Sequence, residues 1–227
     1  MTTETIVRIL LAIIPVIIAI TFHEVAHGYA ALALGDQTAR DQGRLSFNPL
    51  KHIDRVGTII VPGFLLISQL LTVGRIVFMF GWAKPVPVSA WKFSNPRRGM
   101  AFVAMAGPAM NFVLAWLAAL ILIWGTAATS NSLIAVALFD FILVNLALGL
   151  FNLLPIPPLD GGRVVVGFLP EGLARAWAGI ERYGILIVLG ALVVLPHAFG
   201  VDPIGDVFGY VLPWALRIVV SLAGHDV

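Results

Sequence analysis

The chain has 227 residues, 59% of them hydrophobic and 11% charged, with a formal net charge of +2 and no cysteine. A soluble domain carries about a quarter charged residues, so a water-soluble globular class is excluded. The small net charge leaves no footprint for nucleic acid, and the lack of cysteine excludes disulfides and thiolate metal sites.

The first apolar run, Ile6 to about Leu34, is long enough to cross ~30 Å of hydrocarbon at ~1.5 Å per residue. It follows Met1–Thr5 without a basic n-region or a small-residue cleavage site, which predicts a retained helix and not a signal peptide. Gly35-Asp36 ends it. Residues 36–57 are polar, with Asn48-Pro49 and short alternating pieces, and predict a loop with an edge strand at the membrane surface. Residues 58–80 are apolar but broken by Pro62-Gly63 and Gly74. A second polar loop, 81–98, contains Val86-Pro87-Val88, which reads as extended chain. Gly99–Gly125 reads as a helix opening with Ala106-Gly107-Pro108. Ser132–Leu154 is the next and runs into Pro155-Ile156-Pro157-Pro158. Ile180–Leu195 and about Ile204–Ser221 are the last two.

The expected class is an all-α polytopic membrane protein with about five transmembrane helices, a re-entrant or broken segment and small edge-strand loops. As one intramembrane domain over 1–227, it would draw its metal core from 6–34, 99–127 and 132–162. The re-entrant segment is 58–80, and the C-terminal helices are 180–195 and 204–221. Charge supports the re-entrant reading. If 58–80 returns to its starting face, Arg40, Arg44, Lys51 and Arg55 share a side with Lys84, Lys92, Arg97 and Arg98, as cytoplasmic loops require. A broken segment of this kind is tolerated only where protein or water satisfies its backbone.

Within the first helix stands His23-Glu24-Val25-Ala26-His27. Four residues advance ~400° and ~6 Å, so the two imidazoles share a face and can grip one ion. Glu24 lies beside that face, where it can take a proton from the water a metal activates. Three such groups in an apolar helix are costly and point to function, against the blander reading of hydrogen bonds to neighbouring helices. Catalytic zinc takes three protein ligands and keeps one position open. On spacing alone the third stays open among His52, His197, His225, Asp36, Asp41, Asp54, Asp140 and Asp160. Asp160 follows prolines that end a helix and precedes Gly161-Gly162, which free the backbone to turn inward.

The HExxH in a membrane helix together with Asn152-Leu153-Leu154-Pro155-Ile156-Pro157-Pro158-Leu159-Asp160-Gly161-Gly162 far downstream resembles the site-2 protease family of intramembrane zinc metalloproteases, peptidase family M50. Gly107-Pro108 with Asn111, and Gly81-Trp82-Ala83-Lys84-Pro85, add to the resemblance, which covers roughly residues 6–170 and looks like the short form without PDZ or CBS domains. It implies one zinc ion held by His23, His27 and Asp160, Glu24 as general base, and a membrane-protein substrate cut within or near its transmembrane segment. It also implies a multi-pass location in the cell membrane with the site opening toward the cytoplasm. Asp160 can meet the histidines only if the first helix and 132–154 run the same way, which again requires 58–80 to return.

Asn111 and Asn152 could donate to the developing oxyanion or hold substrate backbone, or serve as interhelical hydrogen bonds. His52 and Asp54 could pair near the cleft mouth or be solvated. Trp82 and Trp91 suit interfacial anchors, and Gly107-Pro108 suits close packing or a kink. Val86–Val88 could add a strand to an unwound substrate. Two rival readings are a membrane zinc protease trimming soluble or lipidated ends and a non-catalytic metal-binding scaffold.

Overall fold

The computed structural model describes residues 3–72, 74–75, 79–125 and 132–224. Positions 73 and 76–78 of the expected re-entrant segment, 126–127 of the metal core, and His225 lie outside the described residues.

Helix α1, Thr3–Ala33, stops where Gly35 takes a positive φ of 96°. The amide of Asp36 then bonds Ala31 O and that of Gly35 bonds Leu32 O, a Schellman closure that satisfies the last carbonyls. A short α2, Thr38–Asp41, follows. Asp54 accepts from the amides of Val56 and Gly57 and starts a wide helical turn, Arg55–Ile60, that continues into α3, Val61–Thr72. Asn95 caps α4, Pro96–Leu120, with Pro96 at its first position, where a missing N–H costs nothing. The remainder are α5 (Ser132–Asn152), α6 (Asp160–Phe168), α7 (Glu171–Gly179), α8 (Gly184–Leu189, continued by Gly190–Phe199) and α9 (Pro203–Leu222).

Among the described residues, six helices are long and apolar enough to cross a membrane, Arg55–Thr72 being one of them. Large apolar side chains such as Ile14, Phe102, Leu133 and Tyr210 are exposed around them; water would penalise that surface, but hydrocarbon does not. The protein is therefore a multi-pass membrane protein. Small residues govern the helix contacts: Ala115, Ala118 and Ala119 of α4 pack with Ile142 and Leu146 of α5 and Ala215 and Val219 of α9. Gly149 lies so close to Pro108 O and Asn111 that a Cβ there would sit 3.3–3.4 Å from both. Lipid offers no hydrophobic drive between helices, so such backbone proximity is what holds them together.

The two ends of the segment 58–80 lie together. Trp82 N–H donates to Gly57 O at 3.1 Å, and the Thr58 hydroxyl donates to Trp82 O at 2.9 Å. The two polar loops are tied along their length: Lys84 N–H bonds His52 O, and Arg44 donates to Lys84 O and Pro85 O. The eight basic residues of the two loops thus fall on one side, as their charge pattern predicts.

The expected edge strands are not formed: among the described residues there is no strand. Residues 36–57 fold into short helical turns. Residues 79–89 form no regular element, and the amides of Trp82, Lys84 and Val86, every second residue along one edge, bond within the chain. The alternate edge carries Pro85 and Pro87, which have no N–H to offer. Strand addition at Val86–Val88 is therefore not supported.

Asp36 pins the far end of this segment. Its fully buried carboxylate accepts from Ser89 N–H, the Thr38 amide and hydroxyl, and Lys92 Nζ at 3.1 Å. Burial works to raise its pKa, but these donors prevail and lower it from 3.8 to about 2. The native state thus binds this proton less readily than the unfolded chain. The stabilisation, about 2 kcal/mol, is complete above pH ~4 and is lost as pH falls toward 2. Asp36→Asn is expected to melt below the wild type at pH 6 and to approach it near pH 2, in thermal unfolding of detergent-solubilised protein. A gap that stays constant across that range would refute the assignment.

Candidate metal centre

Helix periodicity puts His23 and His27 on one buried face of α1, against α4. At the point of contact α4 presents Gly107. Any Cβ there would strike both imidazoles, so the glycine is a steric requirement of the pair and not only a packing or kink residue.

The third group arrives from α5. The helix ends at Asn152, and Pro155, Pro157 and Pro158 prevent its continuation. Gly161 and Gly162 lie directly against the backbone of Leu153, Leu154 and Pro157, where a side chain would not fit. The chain therefore reverses tightly into α6 and sets Asp160 at its first position, where a carboxylate suits the helix N-terminus. The Nε2 atoms of His23 and His27 are 3.0 Å apart, and Asp160 Oδ2 lies 3.1 and 3.2 Å from them.

These atoms fit a metal. His27 Nδ1 contacts the carbonyl of Val103 at 2.7 Å, and a carbonyl can only accept, so Nδ1 carries a proton, and in the neutral ring, the form that ligates a metal, Nε2 keeps the lone pair. That lone pair faces Asp160 Oδ2, which is buried and without a hydrogen-bond partner. Acceptors converging in a buried space repel one another unless a cation lies among them. The edges of the triangle also approach the ~3.3 Å separation of tetrahedral ligands at ~2.0 Å from zinc.

Glu24 and the three converging groups line one cavity of about 590 Å³, together with Phe80, Trp82, Val86, Asn152 and Arg163. Glu24 Oε2 accepts from Val86 N–H at 2.9 Å, which fixes the carboxylate beside the triangle. Arg163, one turn beyond Asp160, pairs with Glu181 at 3.0 Å.

Not every expected residue joins the site. Asn111 is fully buried, and its amide bonds His23, Ala19 O and Asn145, so it has no donor left for an oxyanion. Asn152 lines the cavity and spends one N–H on Leu148 O. His52 and Asp54 do not pair: His52 is buried against Ser46 O, and Asp54 caps a helical turn. The Trp82 ring packs over Gly57, whereas Trp91 is 75% exposed. His197 bonds within its own helix at Val193 O. Sequence reasoning missed Asn145 and the Val86 amide. The first was legible only as a polar residue in an apolar helix, and the second, a backbone donor, leaves no side-chain signal.

Comparison with known proteins finds relatives among the zinc metalloproteases. The family model described as Peptidase family M50 matches residues 121–195, which include Asp160. A Bacillus subtilis protein named "Putative zinc metalloprotease YwhC" is 39% identical over 183 residues, covering 78% of this chain and 77% of that protein. "Putative zinc metalloprotease Rip2" of Mycolicibacterium smegmatis is 30% identical over 178 residues, covering 78% of this chain and 64% of that protein. No solved structure matches significantly.

Proposed function

The chain belongs to peptidase family M50, and from that premise we propose that it is an intramembrane zinc metalloendopeptidase hydrolysing peptide bonds within or near transmembrane segments of other proteins. His23, His27 and Asp160 hold the zinc, and Glu24 is the general base. The observation that carries the reading is the triangle of acceptors at 3.0–3.2 Å with a carboxylate beside it, set where α1 and α5 end.

Zinc bound there supplies Lewis acidity to the attacking water and the scissile carbonyl. Glu24 takes the proton from the water and delivers it to the leaving amine nitrogen. Val86 N–H holds the carboxylate in reach during both transfers. Asn152, with its remaining amide N–H, is placed to bind substrate backbone along the cavity wall. The cavity admits water, and the basic loops at its end orient it toward the cytoplasm. A helical substrate must unwind before its carbonyl reaches the site, because each of its carbonyls is bonded within the helix.

The test is cleavage of a single-span reporter in proteoliposomes. Zinc chelation should abolish cleavage, and stoichiometric zinc should restore it. Cleavage of a soluble peptide with the reporter left intact would favour trimming of soluble ends, and chelator-insensitive cleavage would overturn the metal.

A further inference from the structure

A chain of buried amides runs from the site into α5. Asn145, fully buried, donates from Nδ2 to Phe141 O at 2.9 Å. Its Oδ1 accepts from Asn111 Nδ2 at 3.0 Å, and the same Nδ2 group lies 3.3 Å from Ala19 O. Asn111 Oδ1 in turn lies 2.6 Å from His23 Nδ1.

Taken alone, no link has a defined polarity, because an amide can flip and an imidazole can shift its proton. Backbone carbonyls remove the ambiguity. Phe141 O can only accept, so Asn145 must turn its NH2 toward it and its oxygen toward Asn111. Ala19 O also only accepts, and with the Asn145 oxygen it takes both hydrogens of the Asn111 amide. Asn111 is then obliged to present its oxygen to His23, whose Nδ1 must carry the proton.

We propose that the Asn145–Asn111 pair is a positioning relay that fixes the His23 tautomer, so that Nε2 always offers a lone pair to the metal. His27 needs no such relay, since Val103 O imposes the same tautomer directly. The two ligands are thus set by main-chain acceptors: His27 at first hand, and His23 through Asn111, which Ala19 O holds directly at the longer distance and Phe141 O holds through Asn145. The proposal rests on His23 being a metal ligand.

Asn145→Leu removes one of the two acceptors of the Asn111 NH2 group and leaves that group with only the longer Ala19 contact. Asn145→Asp keeps the relay: at a fully buried position the acid stays neutral, accepting from Asn111 with one oxygen and donating to Phe141 O with the other. Zinc affinity is measured by chelator competition on the full chain in detergent. Loss of a partner that orients a ligand weakens metal binding about 10–100-fold. Asn145→Leu should fall about tenfold, at the low end of that range because the Ala19 contact persists, while Asn145→Asp stays within about threefold of wild type.

A readout that bare packing would not move is the tautomer itself, from 15N shifts of histidine-labelled, metal-free protein. His23 Nδ1 should be protonated in the wild type and in Asn145→Asp, and mixed with the Nε2 form in Asn145→Leu. Unchanged affinity and tautomer in Asn145→Leu would overturn the relay, as would equal weakening by both variants. Failure of the wild type to bind zinc would instead overturn the ligand reading, and the nitrogen shifts would still decide the relay.

Discussion

Glu24→Gln is expected to retain zinc and to lower cleavage of a membrane reporter by about 10²–10⁴-fold, the usual contribution of a positioned base. The substitution is nearly isosteric, and a glutamine oxygen can still accept from Val86 N–H, so the segment that closes over the site has no reason to move. What disappears is proton capacity: a carboxamide cannot take a proton from water at neutral pH. His23, His27 and Asp160 are untouched. Zinc content of the purified variant and cleavage in proteoliposomes read the two effects separately. Undiminished cleavage would refute the role of Glu24. Absence of cleavage in the wild type, with zinc bound, would favour the scaffold reading.

How far the site could be read in advance follows from which interactions are local. His23 and His27 are one helical turn apart, so their shared face needs only helix geometry and the apolar background to be seen. Asp160 lies 133 residues beyond His27, and spacing left it one of several acids. Its position depends on Gly161 and Gly162 meeting the carbonyls of Leu153 and Leu154 and the backbone of Pro157, which is tertiary information; only the resemblance singled it out. The same holds for Asn111. An asparagine in a membrane helix announces a partner without saying which, and the oxyanion reading fails because Ala19 and Asn145 consume its donors. The strand expectation failed for a nearer reason. Alternation around Val86 looks like a β edge, but Pro85 and Pro87 remove the amides that such an edge would need. The return of 58–80 was legible because charge placement is a global constraint that ordinary composition already reveals.

Asp160→Ala is expected to weaken zinc binding more than about 100-fold, since even loss of an outer-shell partner costs about 10–100-fold. Two imidazoles remain, 3.0 Å apart at Nε2, and a two-ligand site carries neither the charge nor the geometry of a three-ligand one. The fold should survive. The turn before α6 is held by backbone contacts of Gly161 and Gly162 and not by the carboxylate, and Oδ2 meets the two imidazoles and not the groups that hold the turn. The two effects separate in thermal unfolding. A ligand that binds only the native state at 100 times its Kd adds about 2.7 kcal/mol, so wild type should gain thermal stability on zinc addition and Asp160→Ala should not, while their metal-free melting temperatures stay close. If the variant kept the zinc-dependent rise, the third ligand would have to be sought elsewhere. Glu24 is then the nearest carboxylate on the same helix, and it could no longer serve as a free base.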